Sequence, residues 1–325
     1  MGVSLARSFA VLALLCLLVP CHGKLSTKFY SKSCPSVATI VRSVMAQAVA
    51  KEPRMGASTI RLFFHDCFVN VGHICCPAVI LFGCPASGCD ASILLDDTPT
   101  FTGEKNAGAT STPSAGTSTA HRCVPHCTSA SLNSECTAQL GGPTWNVQLG
   151  RKDSRTASQS AANANLPGPG SSAASLVTAF AAKGLSARDM TALSGAHTVG
   201  QARCVFFRSR IYTPEPNINA TFAAERQRTC PQSGGAGDGN LAPFDDQTPD
   251  AFDNAYYRNL VAQRGLLHSD QELFNGGAVD ALVRKYSGNA GMFATDFAKA
   301  MVRMGGLMPA AGTPTEVRLN CRKVN

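Results

Sequence analysis

The 325-residue sequence has little that indicates a membrane protein, a nucleic-acid-binding protein or a disordered chain. After an apolar run at residues 11–19, no segment is long and apolar enough to cross a bilayer. No run of lysine or arginine indicates nucleic-acid binding, although the formal net charge is +8. Alternation of apolar and polar residues at the period of a β-strand is scarce. These absences predict a folded, mostly α-helical protein whose partners include neither a membrane nor a nucleic acid.

The N-terminus has the pattern of a secretory leader. Arg7 precedes the apolar run, and cleavage is predicted near Gly23, which makes residues 1–23 a signal peptide and leaves a domain at 24–325. Two of the 14 cysteines lie in this leader, so an even number remains for an oxidising compartment. Asn219 begins a sequon for a glycan. The basic net charge favours an acidic matrix, such as pectic cell wall.

Apolar residues recur at helical spacing in several segments. One stripe runs through residues 35–51, and another through residues 293–304. Residues 175–183 form a shorter predicted helix that Gly184 closes. The chain is long enough to fold as one large unit or as two joined lobes.

Residues 61–68, RLFFHDCF, place a permanent cation and a titratable imidazole four residues apart in an apolar segment. On a helix, Arg61 and His65 share one face. The imidazole can take a proton near neutral pH and return it to a leaving group, while the guanidinium stabilises the charge that develops. Taken alone, these residues also fit a purely structural role.

Residues 186–200, SARDMTALSGAHTVG, begin with a Ser-x-x-Asp capping box and continue as a helical stripe. The stripe includes Met190, Leu193 and Ala196, and it places His197 late in the helix on the apolar side. Such a histidine is either a ligand or, more commonly, a hydrogen-bonded core residue.

Together the two segments resemble the plant secretory haem peroxidases (class III). The resemblance extends over long motifs in the family's order, which are RLFFHDCF, GGPTW, LGRKDS, ANANLPGP, ALSGAHT, QTPDAFDNAYY, SDQELF and RLNC. It implies a mostly α fold with two lobes that clasp haem b. It also implies a monomer that reduces hydrogen peroxide and oxidises small phenolic donors, secreted to the cell wall or apoplast, or sent to the vacuole.

The resemblance gives individual residues roles at the haem. His65 would move a proton between the peroxide oxygens, and Arg61 would assist the heterolysis. His197 would bind the iron from the other side, and Asp270 would accept a hydrogen bond from its second ring nitrogen and so strengthen it as a ligand. The backbone carbonyl of Pro167 would contact aromatic donors at the haem edge.

The resemblance further implies two calcium ions, each held by hard oxygen ligands gathered in a loop. The first site would use side chains of four residues and two backbone carbonyls, which are Asp66, Asp90, Ser92 and Glu104 with the carbonyls of Val69 and Gly88. The second site would lie beside the iron ligand and use Thr198, Asp245, Thr248 and Asp253.

Four disulfides are implied in the same way. The two pairs that can be assigned are Cys67 with Cys89 and Cys204 with Cys230. Cys34 and Cys321 each need a partner in the middle of the chain, and the nearby candidates are Cys123, Cys127 and Cys136.

Two segments depart from the family pattern. Residues 71–87 are an insertion inside the first calcium loop, and we interpret them as a retained stretch of intron. Residues 109–139 are rich in Ser, Thr, Pro and Cys with no helical stripe, which is typical of translation in the wrong frame. A Cys/His zinc module in this second segment is the alternative, with the candidate ligands His121, Cys123, His126, Cys127 and Cys136.

The second departure removes a side chain that matters to the chemistry. Thr110 falls where the family has an asparagine that accepts a hydrogen bond from the first histidine. Two functional alternatives follow from the departures. One alternative to the peroxidase is an inactive or unfolded product of a faulty gene model, and the other is a non-enzymatic secreted protein that binds wall polymers through its basic surface.

Overall fold

The computed structural model describes residues 25–69, 89–108, 110, 129–213, 216–307 and 314–325. Across these ranges the chain forms twelve α-helices. They are α1 (Val37–Lys51), α2 (Arg54–Val69), α3 (Ser129–Gln139), α4 (Gln159–Asn165), α5 (Ala173–Ala181), α6 (Ala187–Ser194), α7 (Arg208–Tyr212), α8 (Ala220–Gln227), α9 (Ala255–Val261), α10 (His268–Gln271), α11 (Asp280–Gly288) and α12 (Ala290–Gly305). The signal peptide and the 71–87 insertion lie outside the described residues.

Strands are short wherever the structure describes the chain. β1 (Asp153–Ser154) pairs antiparallel with β4 (Thr315–Glu316), and β2 (Gln201–Arg203) pairs antiparallel with β3 (Leu241–Pro243). The prediction of a mostly α fold is therefore confirmed. Of the helices described, none combines the length and the apolar character needed to cross a membrane.

The main hydrophobic core joins helices from both halves of the chain. It brings Phe63 of α2 together with Met190 of α6, Tyr257 of α9, Val283 of α11 and Phe297 of α12. Each large apolar side chain buried in this way contributes about 1.5–3 kcal/mol to stability. The helix that carries His65 and the helix that leads to His197 thus contribute to the same core.

A second core surrounds the disulfide between Cys204 and Cys230 and includes Phe207, Phe222 and Leu266. The other assigned disulfide, between Cys67 and Cys89, is also present. Both predicted pairings are therefore confirmed.

The helix that leads to His197 is shorter than the stripe predicts. Ser186 caps α6 by accepting from the backbone N–H of Asp189, whose carboxylate accepts in return, so the predicted capping box is confirmed. The α-helix ends at Ser194, however, and His197 lies in a 3₁₀ turn at Gly195–Thr198. A Cβ on Gly195 would meet the Phe293 ring at 2.5 Å, so only glycine permits the close approach at this transition.

The prediction that residues 109–139 contain no helical stripe is wrong at their C-terminal end. α3 packs against both α1 and α2. Its buried stripe consists of Asn133, Ser134, Cys136 and Thr137, at the spacing of one helix face. The stripe is absent from the apolar pattern because its members are mostly polar.

Hydrogen bonds make this polar stripe compatible with burial. The Thr137 hydroxyl donates to the carbonyl of Asn133 at 2.7 Å, and Ser134 Oγ accepts from the backbone N–H of Trp145 at 3.1 Å. Cys136 is a free thiol rather than a disulfide partner, and burial raises its pKa to about 12. α3 thus covers part of the surface that α1 and α2 would otherwise expose.

The C-terminal segment is fastened to the rest of the protein by Arg318, a fully buried arginine. Its guanidinium donates to the carbonyls of Ala91 and Cys321, each at 2.9 Å, and to the carbonyl of Ser154. Its backbone N–H donates to Asp153 at 3.0 Å. These bonds spread one positive charge over three carbonyl oxygens, which offsets the cost of burying it.

Candidate active site

The predicted pair on α2 meets as the helical spacing requires. Arg61 Nε donates to His65 Nε2 at 3.3 Å across one turn of the helix. Nε2 is therefore an acceptor, which leaves the ring proton on Nδ1. A histidine in this state has an unprotonated Nε2 ready to accept a proton.

The surroundings keep His65 neutral. The side chain is 7% exposed, and its burial, together with the neighbouring charge of Arg61, lowers its pKa to about 3. Arg61 itself is accessible to solvent, yet the protein around it and the charge of Arg203 lower its guanidinium pKa. The pair therefore combines a neutral acceptor with a fixed positive charge.

Thr110 does not replace the missing asparagine. It is buried, and its hydroxyl donates to the carbonyl of Ala107 at 3.1 Å and to that of Glu104. Among the described residues, Arg61 is the hydrogen-bond partner that His65 has. The family's support of the imidazole through an asparagine is thus not reproduced by this threonine.

The second predicted histidine is held by a carboxylate. Asp270 Oδ1 lies 2.7 Å from His197 Nδ1, although the two residues are 73 positions apart in the chain. Asp270 lies in the short α10, where its Oδ2 accepts the backbone N–H of Leu267 at 3.0 Å. The His197 side chain remains 36% exposed, so Nε2 is available to a ligand on the accessible side. This donor set fits a haem iron, because a histidine that binds a metal donates its other nitrogen to a carboxylate.

Two aromatic residues fix the plane of the His197 ring. Phe244 stacks on it with the ring centroids 4.0 Å apart and the planes within 2°. Tyr256 meets its edge at 6.2 Å and donates its hydroxyl to Asp270 at 3.1 Å. Neither residue was predicted from the sequence, since no spacing relates Phe244 or Tyr256 to His197.

The His197 turn and the Arg61 helix adjoin at one close contact. Gly200 has a φ of +97°, and a Cβ placed there would meet the Cβ of Ala57 at 2.9 Å. Ala57 is one helical turn before Arg61, and Arg203 on β2 is close enough to affect the Arg61 pKa. The structure therefore brings the two predicted segments next to each other.

The residues predicted for the second calcium site are gathered in one place. The Thr198 hydroxyl lies 3.2 Å from an oxygen of Asp245 and 3.4 Å from one of Asp253. The Thr248 hydroxyl lies 3.4 Å and 2.9 Å from oxygens of the same two carboxylates. Four side chains that offer hard oxygens fit the ligand chemistry of calcium.

The side chains predicted for the first calcium site also come together. Ser92 Oγ donates to Glu104 at 3.3 Å, the Ser92 backbone N–H donates to Asp90 at 3.1 Å, and that of Ala91 donates to Asp66 at 2.5 Å. All three carboxylates are buried. Buried carboxylates are hard oxygen ligands of the kind that a calcium ion takes.

The remaining predicted positions are only partly described. Val69 is buried at the end of α2, whereas Gly88 lies outside the described residues, as do four of the five zinc candidates. Pro167 is half-buried just after α4. Asn219 caps α8 by accepting the backbone N–H of Phe222 at 3.1 Å.

Comparison with known proteins identifies the family. The peroxidase family model matches residues 41–289. Peroxidase P7 of Brassica rapa subsp. rapa is 50% identical over 314 residues, which cover 93% of this chain and 100% of that protein. Peroxidase 70 of Zea mays is 47% identical with 100% of both chains covered, and the lignin-forming anionic peroxidase of Nicotiana sylvestris is 44% identical over 98% of this chain and 97% of its own.

These matches support a peroxidase, and none of them favours the faulty gene product or the non-enzymatic wall-binding protein. The two pairs of contacting residues, Arg61 with His65 and His197 with Asp270, stand in the motifs that carry the resemblance. The chain belongs to the plant class III peroxidases, with their mostly α haem peroxidase fold and their peroxidase activity.

Proposed function

We propose that the chain binds haem b through His197 and uses His65 and Arg61 to reduce hydrogen peroxide. The observation that carries this proposal is the 2.7 Å contact between His197 Nδ1 and Asp270. It leaves Nε2 as the free donor atom of a half-exposed ring, and it makes that atom more electron-rich.

Haem, when bound, would supply the two electrons that reduce hydrogen peroxide and would regain them one at a time from the donors. The protein's part is proton transfer and charge stabilisation. His65 Nε2 takes the proton of one peroxide oxygen and delivers it to the other, which leaves as water. Arg61 stabilises the negative charge that develops on that leaving oxygen.

The donors that we propose are small phenols, which give up single electrons as radicals. One relative is named as lignin-forming, and lignin precursors are phenols. The half-buried Pro167 is the proposed contact for an aromatic donor. Secretion to the cell wall or apoplast, with the signal peptide at residues 1–23 and the domain at 24–325, fits a basic protein in a polyanionic matrix, since the full chain has a net charge of +8 and the signal peptide accounts for one of these charges.

Two calcium ions complete the proposal. The first would be bound by Asp66, Asp90, Ser92 and Glu104 with the carbonyls of Val69 and Gly88, and the second by Thr198, Asp245, Thr248 and Asp253. Thr198 of the second set follows His197 directly in the chain, so this ion would brace the turn that carries the iron ligand.

The test is haem binding by His197→Ala. We expect this variant to lose stable haem binding, because the ligand atom is removed outright. The matched control is His268→Ala, which removes an exposed histidine that lies 3.8 Å from Glu272. A Soret band of wild-type position and intensity in His197→Ala, with the control also unchanged, would sink the assignment of the iron ligand.

A further inference from the structure

The carboxylate behind His197 is shared with a tyrosine. Asp270 Oδ1 lies 2.7 Å from His197 Nδ1 and 3.1 Å from the hydroxyl of Tyr256. The other oxygen of Asp270 accepts the backbone N–H of Leu267. The histidine and the tyrosine therefore compete for the same carboxylate oxygen.

The tyrosine acts only as a hydrogen-bond donor at this position. It is 2% exposed, and its burial, followed by the negative charge of Asp270, raises its phenol pKa well above the usual value. The hydroxyl consequently keeps its proton and directs it at Asp270. Asp270 is itself 3% exposed, and hydrogen bonds between groups shielded from water are stronger than those at a surface.

A donor on the shared oxygen changes what the carboxylate does to the histidine. The more negative charge Asp270 gives to the tyrosine, the less it draws the proton from His197 Nδ1. The imidazole is then a weaker electron donor at Nε2. Partners of this kind around an axial ligand are one of the means by which a protein sets a haem potential.

We propose that Tyr256 is a positioning residue that limits electron donation from His197 and so raises the reduction potential of the haem iron. This inference rests on the proposed role of His197 as the iron ligand. Tyr256 joins His197 and Asp270 as the third residue of this hydrogen-bonded group. It lies on α9, and no spacing in the sequence relates its hydroxyl to His197.

The first experiment measures the ferric/ferrous potential of the holoenzyme by spectroelectrochemistry in Tyr256→Phe. Without the tyrosine hydroxyl, Asp270 attracts the Nδ1 proton of His197 more strongly, and His197 becomes a stronger electron donor. The ferric state is then stabilised relative to the ferrous state, so the reduction potential should fall. A hydrogen bond of ordinary net strength corresponds to about a two- to tenfold change in the ferric-to-ferrous ratio at a fixed applied potential. Mere loosening of the site would weaken the contact between Asp270 and His197 and move the potential upwards.

A matched control lies next in the chain. Tyr257 is equally buried, but its hydroxyl donates to the carbonyl of Thr191 at 2.8 Å and not to Asp270. Tyr257→Phe should leave the potential unchanged. Asp270→Asn should raise it, because a neutral amide draws the proton of His197 less than a carboxylate does.

A second substitution keeps the proposal testable if Tyr256→Phe does not fold. Fluorotyrosine in place of Tyr256 keeps the ring and makes the phenol a stronger donor, so the potential should rise. An unchanged or raised potential in Tyr256→Phe, or an unchanged or lowered one with fluorotyrosine, would overturn the proposal. Failure of the underlying function is separate, since it would appear as intact haem binding in His197→Ala.

Discussion

The His65 side and the His197 side of the candidate site differ in how completely their residues are supported. On the His197 side, the imidazole has a carboxylate, a stacked phenyl ring and a calcium-type oxygen cluster directly behind it. On the His65 side, the imidazole has Arg61 on Nε2, while the residue at the asparagine position has its hydroxyl bonded to the backbone.

The difference follows the sequence departures. Both departing segments, 71–87 and 109–139, follow His65 in the chain, between Cys67 and Trp145. The residues from Ser186 to Asp270, which form the His197 side, keep the family motifs. The comparison teaches that the residues proposed to act in the reaction are retained on both sides, whereas the supporting contacts are reduced on one.

The largest effect should come from His65 itself. We expect His65→Leu to slow the reaction with peroxide by about 10²- to 10⁴-fold, because a general acid-base group is lost, and Arg61→Leu to slow the same step. Stopped-flow absorbance of the haem after mixing with peroxide measures the rate of this step. Arg54→Leu, at the start of α2, where the arginine is partly exposed and pairs with Glu52, is the control. Equal rates in His65→Leu and wild type would mean that the His65 side does not perform the proton transfer.

A second prediction concerns how the free energy of unfolding depends on pH in the haem-free protein with calcium retained. Since the pKa of His65 falls from about 6.5 unfolded to about 3 folded, the unfolded chain binds the extra proton between these values. Stability should therefore decrease as the pH drops from 6.5 towards 3, by on the order of 4 kcal/mol from this group.

Denaturant unfolding of wild type and His65→Leu over this pH range isolates the histidine, since both proteins share every carboxylate. We expect a flatter pH profile for His65→Leu. Parallel pH profiles of stability in the two proteins would show that His65 is not buried as a neutral group. The neutral imidazole would then no longer distinguish the His65 side from the His197 side.

Calcium binding can be measured separately for the site predicted on the His65 side and the site predicted on the His197 side. We expect two bound ions per chain and one in each of the variants Glu104→Gln and Asp253→Asn, measured by metal analysis after gel filtration. Chelation should lower stability by about 2.7 kcal/mol for a site held at a hundredfold excess of calcium over its Kd. Asp250→Asn, at an exposed position, is the control. Retention of both ions in Glu104→Gln would place the first ion elsewhere.

The smallest effect is expected for Thr110→Val. Its hydroxyl bonds to the backbone, so we expect a loss of about 1 kcal/mol in stability and no change in the rate of the peroxide reaction. Thermal unfolding and stopped flow report the two quantities. A slower peroxide reaction in Thr110→Val would mean that this threonine supports His65 after all.

Parts of the fold were predictable because their pattern is local. The capping box of Ser186 and Asp189 and the i, i+4 contact of Arg61 and His65 depend only on spacing along one helix. α3 was missed because the pattern considered only apolar residues, whereas its buried face includes Asn133 and Thr137. A polar stripe is recognisable only when its hydrogen-bond partners are known.

Family motifs predicted most of the residues of the candidate site, whereas physical reasoning from the sequence predicted fewer of its contacts. The pairing of His197 with Asp270 follows from the resemblance, but the hydroxyl of Tyr256 on the same carboxylate does not. Its position depends on how α9 packs against α11 and the His197 turn, and the linear sequence holds no periodic signal for such a contact. The stacking of Phe244 on His197 arises in the same way, from the pairing of β2 with β3.

The Arg318 contact has a consequence for how the protein is made. Its guanidinium meets the carbonyl of Ala91 across 227 positions of the chain. A ribosome releases the segment around Ala91 long before it adds Arg318, so the nascent chain cannot form this bond during most of its synthesis. Contacts of such sequence separation are closed late, because the entropy of a long loop must be lost first. The segment that carries Arg318 thus completes the neighbourhood of Asp90, which leaves the ribosome more than two hundred residues earlier.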